Sequence, residues 1–410
     1  MYAFRKPFAV GTFEDLTFLS IDYKIWLITA QTIGYTFSKF LGIKFVSELK
    51  KNQRAIGIVI LLACAQVSLI LFAIIPAPWN ISMLFLNGLP LGMVWGIVFS
   101  YVEGRRNTEF LGAGLCISFI FSSGFVKTVG KFILLHWDVS EFAMPYITGF
   151  IFSLPALLCI WLLQQSPLPD SKDIAERVER KAMTFEQRLS IFKRFAPGLI
   201  LLILGYTLLT AFRDFRDNFS AEIWQALNYG ESSKIFTTTE IPVSLFILVV
   251  MGSLMLIRSN QKAFIVGHII ILLGFLITGL ATLAFEKEAI SAPYWMIFMG
   301  SGLYLGYVPF NTIMFDRMIA TFRLVGNVGF LIYLADSFGY LGSLGVLFFK
   351  NFSQPDISWL SFFISSTYLV SVVGIILVIL SLAYFSVKMQ TVKNNSMVLN
   401  AKLGNASSRI

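Results

Sequence analysis

Long apolar runs separated by short polar breaks set the pattern of this chain. Eleven such runs cover approximately residues 22–47, 54–76, 80–102, 108–134, 142–164, 196–220, 236–257, 262–285, 293–315, 324–349 and 358–388. Each has the length of about 20 residues that a helix needs to cross a bilayer. The breaks carry turn chemistry: Pro76-Ala77-Pro78 ends one run, Asn351 to Pro355 separates the last two, and Asn80 and Ser140 stand where helix caps belong. Met1 to Phe13 reads as the end of a further span. At about 1.5 Å per residue it would reach only about 20 Å, short of a core of about 30 Å. The expectation is a start lying upstream, and hence a truncated gene model.

Composition fixes the class. Of 410 residues, 56% are hydrophobic and only 13% charged, against about 25% charged in soluble domains. The chain is therefore an all-α, multi-pass membrane protein. Forty-one Phe and eight Trp suit lipid-facing surfaces and interfacial belts. The net charge of +9 fits inner loops lying against anionic membrane lipids, not nucleic acid. Cys64, Cys116 and Cys159 all lie in apolar runs and read as small core residues. His136 and His268 are far apart and have no ligand-like neighbours. No metal or other cofactor is expected, and no Ser-His-Asp set or phosphate loop suggests an enzyme.

Basic residues give the orientation. Lys44, Lys50, Lys51, Arg54, Arg105, Arg106, Arg258, Lys262, Arg317 and Arg323 fall on alternate connections, which places those connections and both termini in the cytoplasm. The long polar segment 165–195 is a central cytoplasmic loop with a short surface helix. It divides an N-terminal helical half, 1–164, from a C-terminal half, 196–388. The Asn- and Ser-rich tail, 389–410, is expected to be disordered. Ala3-Phe4-Arg5 recurs as Ala211-Phe212-Arg213, an offset of 208 residues (213 less 5). Such an internal repeat suits two halves with a binding site between them.

Charges inside apolar runs are the candidate chemistry, because an ionised side chain in a membrane helix needs a partner, water or a ligand. Arg5 and Arg213 offer planar forks suited to phosphate or carboxylate oxygens. The bland alternative for Arg213 is a snorkelling side chain paired with Asp214 or Asp217. Tyr35 and Lys39 are four residues apart and share a helix face; Lys39 could also snorkel to the inner surface. Asp336 and Glu240 are candidates for coupling to a proton or cation, although Tyr340 could simply satisfy Asp336. Lys127 and Lys131 share a face near the outer end of their run, where solvation is the expected role. The Gly-rich stretch GLPLGMVWG, 88–96, suits close helix packing.

Several of these residues carry a resemblance. Tyr2, Arg5, Lys6 and Phe8, followed by Tyr35, Ser38, Lys39, Phe40, Gly42 and Ser47, resemble the first two helices of the organophosphate:phosphate antiporter branch of the major facilitator superfamily. Tyr333 in VGFLIYLADS resembles a tyrosine of that family's eleventh helix, and Glu240 matches a glutamate of its eighth. Glu48 and Leu49 depart from the family's Asp-Arg, and Asp336 replaces a glycine. Ser118, Phe121 and Ser122 stand where the family has a histidine motif, which puts antiport against inorganic phosphate in doubt. The resemblance implies a bundle of two pseudo-symmetric six-helix halves, about 12 transmembrane helices with the first incomplete. It implies a secondary active transporter in the cytoplasmic (inner) membrane that moves a small anionic solute, phosphorylated or carboxylated, by alternating access. A proton or inorganic phosphate would be the coupling partner. Arg5, Arg213, Lys39, Tyr35 and Tyr333 are then the expected substrate contacts, with Arg5 facing Arg213 across the pseudo-twofold. The other readings are a transporter of the same fold for a sugar or other solute, and a membrane receptor or sensor that does not transport.

Overall fold

The computed structural model describes residues 1–14, 16–48, 51–102, 108–167, 185–254, 256–322, 324, 328–353 and 357–407. After a two-stranded hairpin, β1 (Thr17–Phe18) with β2 (Ile21–Asp22), five helices form the N-terminal half. They are α1 (Tyr23–Glu48), α2 (Arg54–Ile74), α3 (Ile81–Val102), α4 (Thr108–His136) and α5 (Met144–Gln164). The C-terminal half holds α6 (Phe185–Asn218), the short α7 (Ser220–Ala226), α8 (Ile235–Leu254), α9 (Asn260–Glu286) and α10 (Ala292–Pro309). A π turn, Phe310–Met314, joins α10 to α11 (Phe315–Thr321), and α12 (Val328–Ser353) and α13 (Trp359–Ser407) complete it. Among the described residues, nine helices are long and apolar enough to cross a membrane.

Every apolar run of the sequence lies on a helix. The ends differ where polar turns extend a helix past its apolar part. α6 starts at Phe185, ahead of the apolar run, with exposed Glu186 and Arg188 in its first turns. α13 continues as helix to Ser407, where composition predicts a disordered tail; once a helix is nucleated, each further residue adds a bond at little cost. The expected surface helix within 165–195 falls largely on residues outside the described ones.

Residues 3–11 and Phe13 are buried, but the first thirteen residues are not the end of an α-helix. They form two 3-10 turns, Tyr2–Phe4 and Pro7–Val10. Pro7 has no N–H to donate and its ring clashes with the preceding turn, so a continuous helix stops there. Irregular backbone at membrane depth must be satisfied by protein. Asn87 of α3 donates to the Phe4 carbonyl at 3.0 Å, Gln31 of α1 to the Arg5 carbonyl at 3.1 Å, and Lys24 to the Ala9 carbonyl at 2.8 Å. Gln31 also donates to Asn87 at 2.8 Å, fixing both amides. The segment is thereby anchored against the helices of its own half.

Glycines set the tightest helix contacts. A Cβ on Gly34 would lie 2.2 Å from the Phe85 carbonyl oxygen, and one on Gly88 would lie 2.3 Å from that of Gln31. The close α1–α3 seam therefore admits no side chain at either position. It is the role that the Gly-rich stretch suggests, and it fixes the height of Tyr35 and Lys39 relative to the first turns.

Candidate functional site

The two arginines singled out by the repeat have matching surroundings. The Arg5 guanidinium lies 3.9 Å from the ring centroid of Tyr35, and that of Arg213 lies 3.9 Å from the ring of Tyr307. A cation over an aromatic face gains from the ring quadrupole, most of all away from water. Arg5, Tyr35 and Tyr307 are buried, and the Arg213 side chain is 12% exposed. Tyr2 stands within electrostatic reach of both guanidiniums. Tyr35 contacts Tyr340 of the other half at 5.3 Å between centroids, and Tyr206 stacks on Tyr307 at 5.2 Å. The Tyr35–Tyr340 contact crosses the boundary between the halves.

Their partners differ. Arg213 donates to Asp214 at 2.7 Å, and the second oxygen of Asp214 accepts from Ser343 at 3.0 Å. This is the pairing that the bland reading names, but here it is buried and not at an interface with water. Arg5 lies within ion-pair distance of no carboxylate among the described residues, and its Nε is buried without a hydrogen-bond partner. Lys39, on α1, lies 3.8 Å from Asp336 of α12 and 5.3 Å from the ring of Tyr35. Asp336 also accepts from the Tyr206 hydroxyl, which in turn accepts from Asn311 in the π turn at 3.3 Å. Asp336 is therefore satisfied by Lys39 and Tyr206 rather than by Tyr340. Tyr333 is 37% exposed and within electrostatic reach of Lys39, so it stands at the margin of this cluster.

A second cluster closes one end of the boundary. Asp217, at the end of α6, pairs with both Lys6 and Lys127. Lys6 also donates to Asn218 at 3.0 Å, and Ser123 donates to Asp217 at 2.6 Å. Lys24 at the start of α1 pairs with Glu222 on α7. Burial pushes the Glu222 carboxyl above its ordinary pKa, and Lys24 pulls it back. Thr128 and Thr237 share a hydrogen bond of 2.6 Å, and Gln225 donates to Glu14 at 3.0 Å. Gly124 of α4 sits against the Phe236 carbonyl of α8, where a Cβ would come within 2.5 Å. Lys127 is 3% exposed, which corrects the expectation of a solvated lysine. Its distance from the end of the apolar run suggested water, but the sequence does not show that Asp217 lies opposite.

Glu240 is ion-paired with Arg216 at 2.7 Å within its own half, and Arg216 also donates to the Met296 carbonyl at 3.1 Å. Lys127, Arg216, Asp217 and Glu240 line a void of about 10 Å³, room for one water. One oxygen of Glu240 has no hydrogen-bond partner. Sequence reasoning treats Lys6, Asp214 and Asp217 only as motif members or as partners. Their signal was present: Arg213 to Asp217 holds four charges in five residues of an apolar run.

Two helical halves, mutually charge-paired and built from membrane-length helices, define a multi-pass membrane protein with the major facilitator fold. A D-xylose–proton symporter has a TM-score of 0.58 at 15% identity, covering 93% of this chain and 94% of that one. The proton:xylose symporter XylE bound to 6-bromo-6-deoxy-D-glucose gives 0.58 at 16%, covering 92% of each. The human organic anion transporter MFSD10 (TETRAN) gives 0.54 at 14%, covering 87% of this chain and 83% of that one. No curated protein matches the sequence. The chain belongs to a family of unknown function, DUF5690, whose model matches residues 7–388.

Proposed function

We propose that this protein is a secondary active transporter that moves a small anionic solute, a phosphorylated or carboxylated metabolite, by alternating access. The observation that carries this reading is the pair of ring-stacked arginines, Arg5 and Arg213, one from each half. Arg5, Arg213, Lys39 and Tyr35 hold the substrate, with Tyr333 at the margin. In the closed arrangement Arg5 lies buried with no carboxylate at ion-pair distance among the described residues, so an anion gains most from it there. An anion therefore binds the closed arrangement better than the open one, and that difference is what shifts the population of states. Asp336 and Glu240 are the candidates for coupling, to a proton or against inorganic phosphate. The protein sits in the inner membrane with both termini in the cytoplasm.

The test is a thermal-shift screen of the purified protein against phosphate esters, carboxylates and sugars, followed by uptake into proteoliposomes. A ligand bound by the folded form raises its melting temperature. Arg5→Lys and Arg213→Lys keep charge but lose the fork, and each is expected to abolish uptake while the protein still folds. Unchanged anion affinity in both variants, or stabilisation by sugars alone, would overturn the anionic reading.

A further inference from the structure

We infer that the site is built for a monoanion, a carboxylate, and that it rejects the dianion of a phosphate ester. This rests on the transporter reading above. Three cations reach the boundary between the halves at the level of the tyrosines, and two of them already hold a carboxylate of the protein. Arg213 has Asp214 at 2.7 Å and Lys39 has Asp336 at 3.8 Å. Only Arg5 has none among the described residues. It is 8% exposed, carries a buried Nε without a partner, and rests on the Tyr35 ring. Asp214 acts on it electrostatically but is already ion-paired to Arg213; a buried charge with only a shared counter-ion is costly, and one negative charge from outside lowers that cost.

Among the described residues, a second negative charge finds no cation at this level that lacks a carboxylate. It meets instead Asp214 and Asp336, which repel it at low dielectric. Lys6 and Lys127 do not supply the missing charge. They share Asp217 at the closed end, where Lys6 is further bound by Asn218 and Lys127 by the Asp217 carbonyl at 2.6 Å and by Ser220 at 3.2 Å. The Arg5 fork can give two parallel hydrogen bonds to a carboxylate, and Tyr35, Tyr340 and Tyr2 stand around it. The protein's own carboxylates are thus the specificity-determining groups.

The experiment measures affinity at pH 8, where phosphate monoesters are dianions, for matched probes: benzoate against phenyl phosphate, and gluconate against glucose 6-phosphate. In the wild type the carboxylate of each pair is expected to bind on the order of tenfold tighter or more, the scale that separates a matched from an unmatched buried charge. Asp214→Asn frees Arg213 and Asp336→Asn frees Lys39, so in either variant the preference narrows or reverses toward the phosphate ester. Two variants at separate positions guard against one failing to fold. A wild type that prefers the phosphate esters overturns this inference and leaves the transporter of anions standing. Binding of none of the four probes overturns both. A carboxylate preference that survives in both folded variants assigns selectivity elsewhere and also overturns it.

Discussion

The ammonium of Lys39 stands 3.8 Å from the carboxylate of Asp336, and the two residues belong to opposite halves of the molecule. Both side chains are largely buried, at 13% and 15% exposure. Removing one partner of such a pair leaves the other charge uncompensated, at a cost of about 3–5 kcal/mol when burial is complete. Lys39→Ala and Asp336→Ala should each lower the melting temperature. The double variant should be less destabilised than the sum of the two, with a coupling of about 0.5–3 kcal/mol. Strict additivity in a double-mutant cycle would mean that the pair does not join the halves.

Asp217 is the second joint. Asp217→Asn leaves Lys6 and Lys127 side by side without a carboxylate, so the closed end should part. A cysteine placed at Thr237, which bonds Thr128 across the boundary, should react faster with a charged maleimide in the Asp217→Asn background than in the wild type. Equal labelling rates would show that the glycine contact at Gly124 keeps that end shut without the ion pairs.

The α1–α3 seam can be tested through its glycines. Gly34→Ala puts a methyl group where the Phe85 carbonyl already lies, 2.2 Å away. Overpacking of this kind costs about 1–3 kcal/mol. Gly205→Ala on α6 meets nothing within 4 Å, and it should be neutral or stabilising by about 1 kcal/mol through helix propensity. Gly34→Ala should therefore lower the melting temperature while Gly205→Ala leaves it unchanged or raises it; an unchanged melting temperature in Gly34→Ala would contradict the seam.

The orientation proposed from the charged connections can be tested with reporters. A reporter fused at Asp170 is expected to behave as cytoplasmic and one fused at Pro355 as external. The reverse pattern would invert the orientation read from the basic residues.

Much of the fold was legible because a bilayer demands unbroken apolar runs, and those runs lie on helices, the run 293–315 being shared by α10, the π turn and α11. The first thirteen residues were harder. Their apolar character is real, since Phe4, Phe8 and Val10 are buried, but the 3-10 turns depend on Gln31 and Asn87, which approach only in the folded state. At the site, Arg5, Tyr35, Lys39 and Asp336 could be found because charge inside an apolar run is conspicuous. The local pairing of Arg213 with Asp214 was among the readings; what could not be read was that Lys39 meets Asp336 from the other half, or that Lys127 is sealed by Asp217. Pairings between residues 90 to 297 positions apart are set by the packing of halves, and no local pattern encodes them.

In every ion pair that crosses between the halves among the described residues, the cation comes from the N-terminal half and the carboxylate from the C-terminal half. This holds for Lys6 and Lys127 with Asp217, for Lys24 with Glu222, and for Lys39 with Asp336. The halves therefore meet like the plates of a charged capacitor. Wherever they part, the field in the gap runs from one lip to the other, transverse to the path a solute would take. An entering anion is drawn to the N-terminal wall, the side on which Arg5 has no ion-paired carboxylate among the described residues.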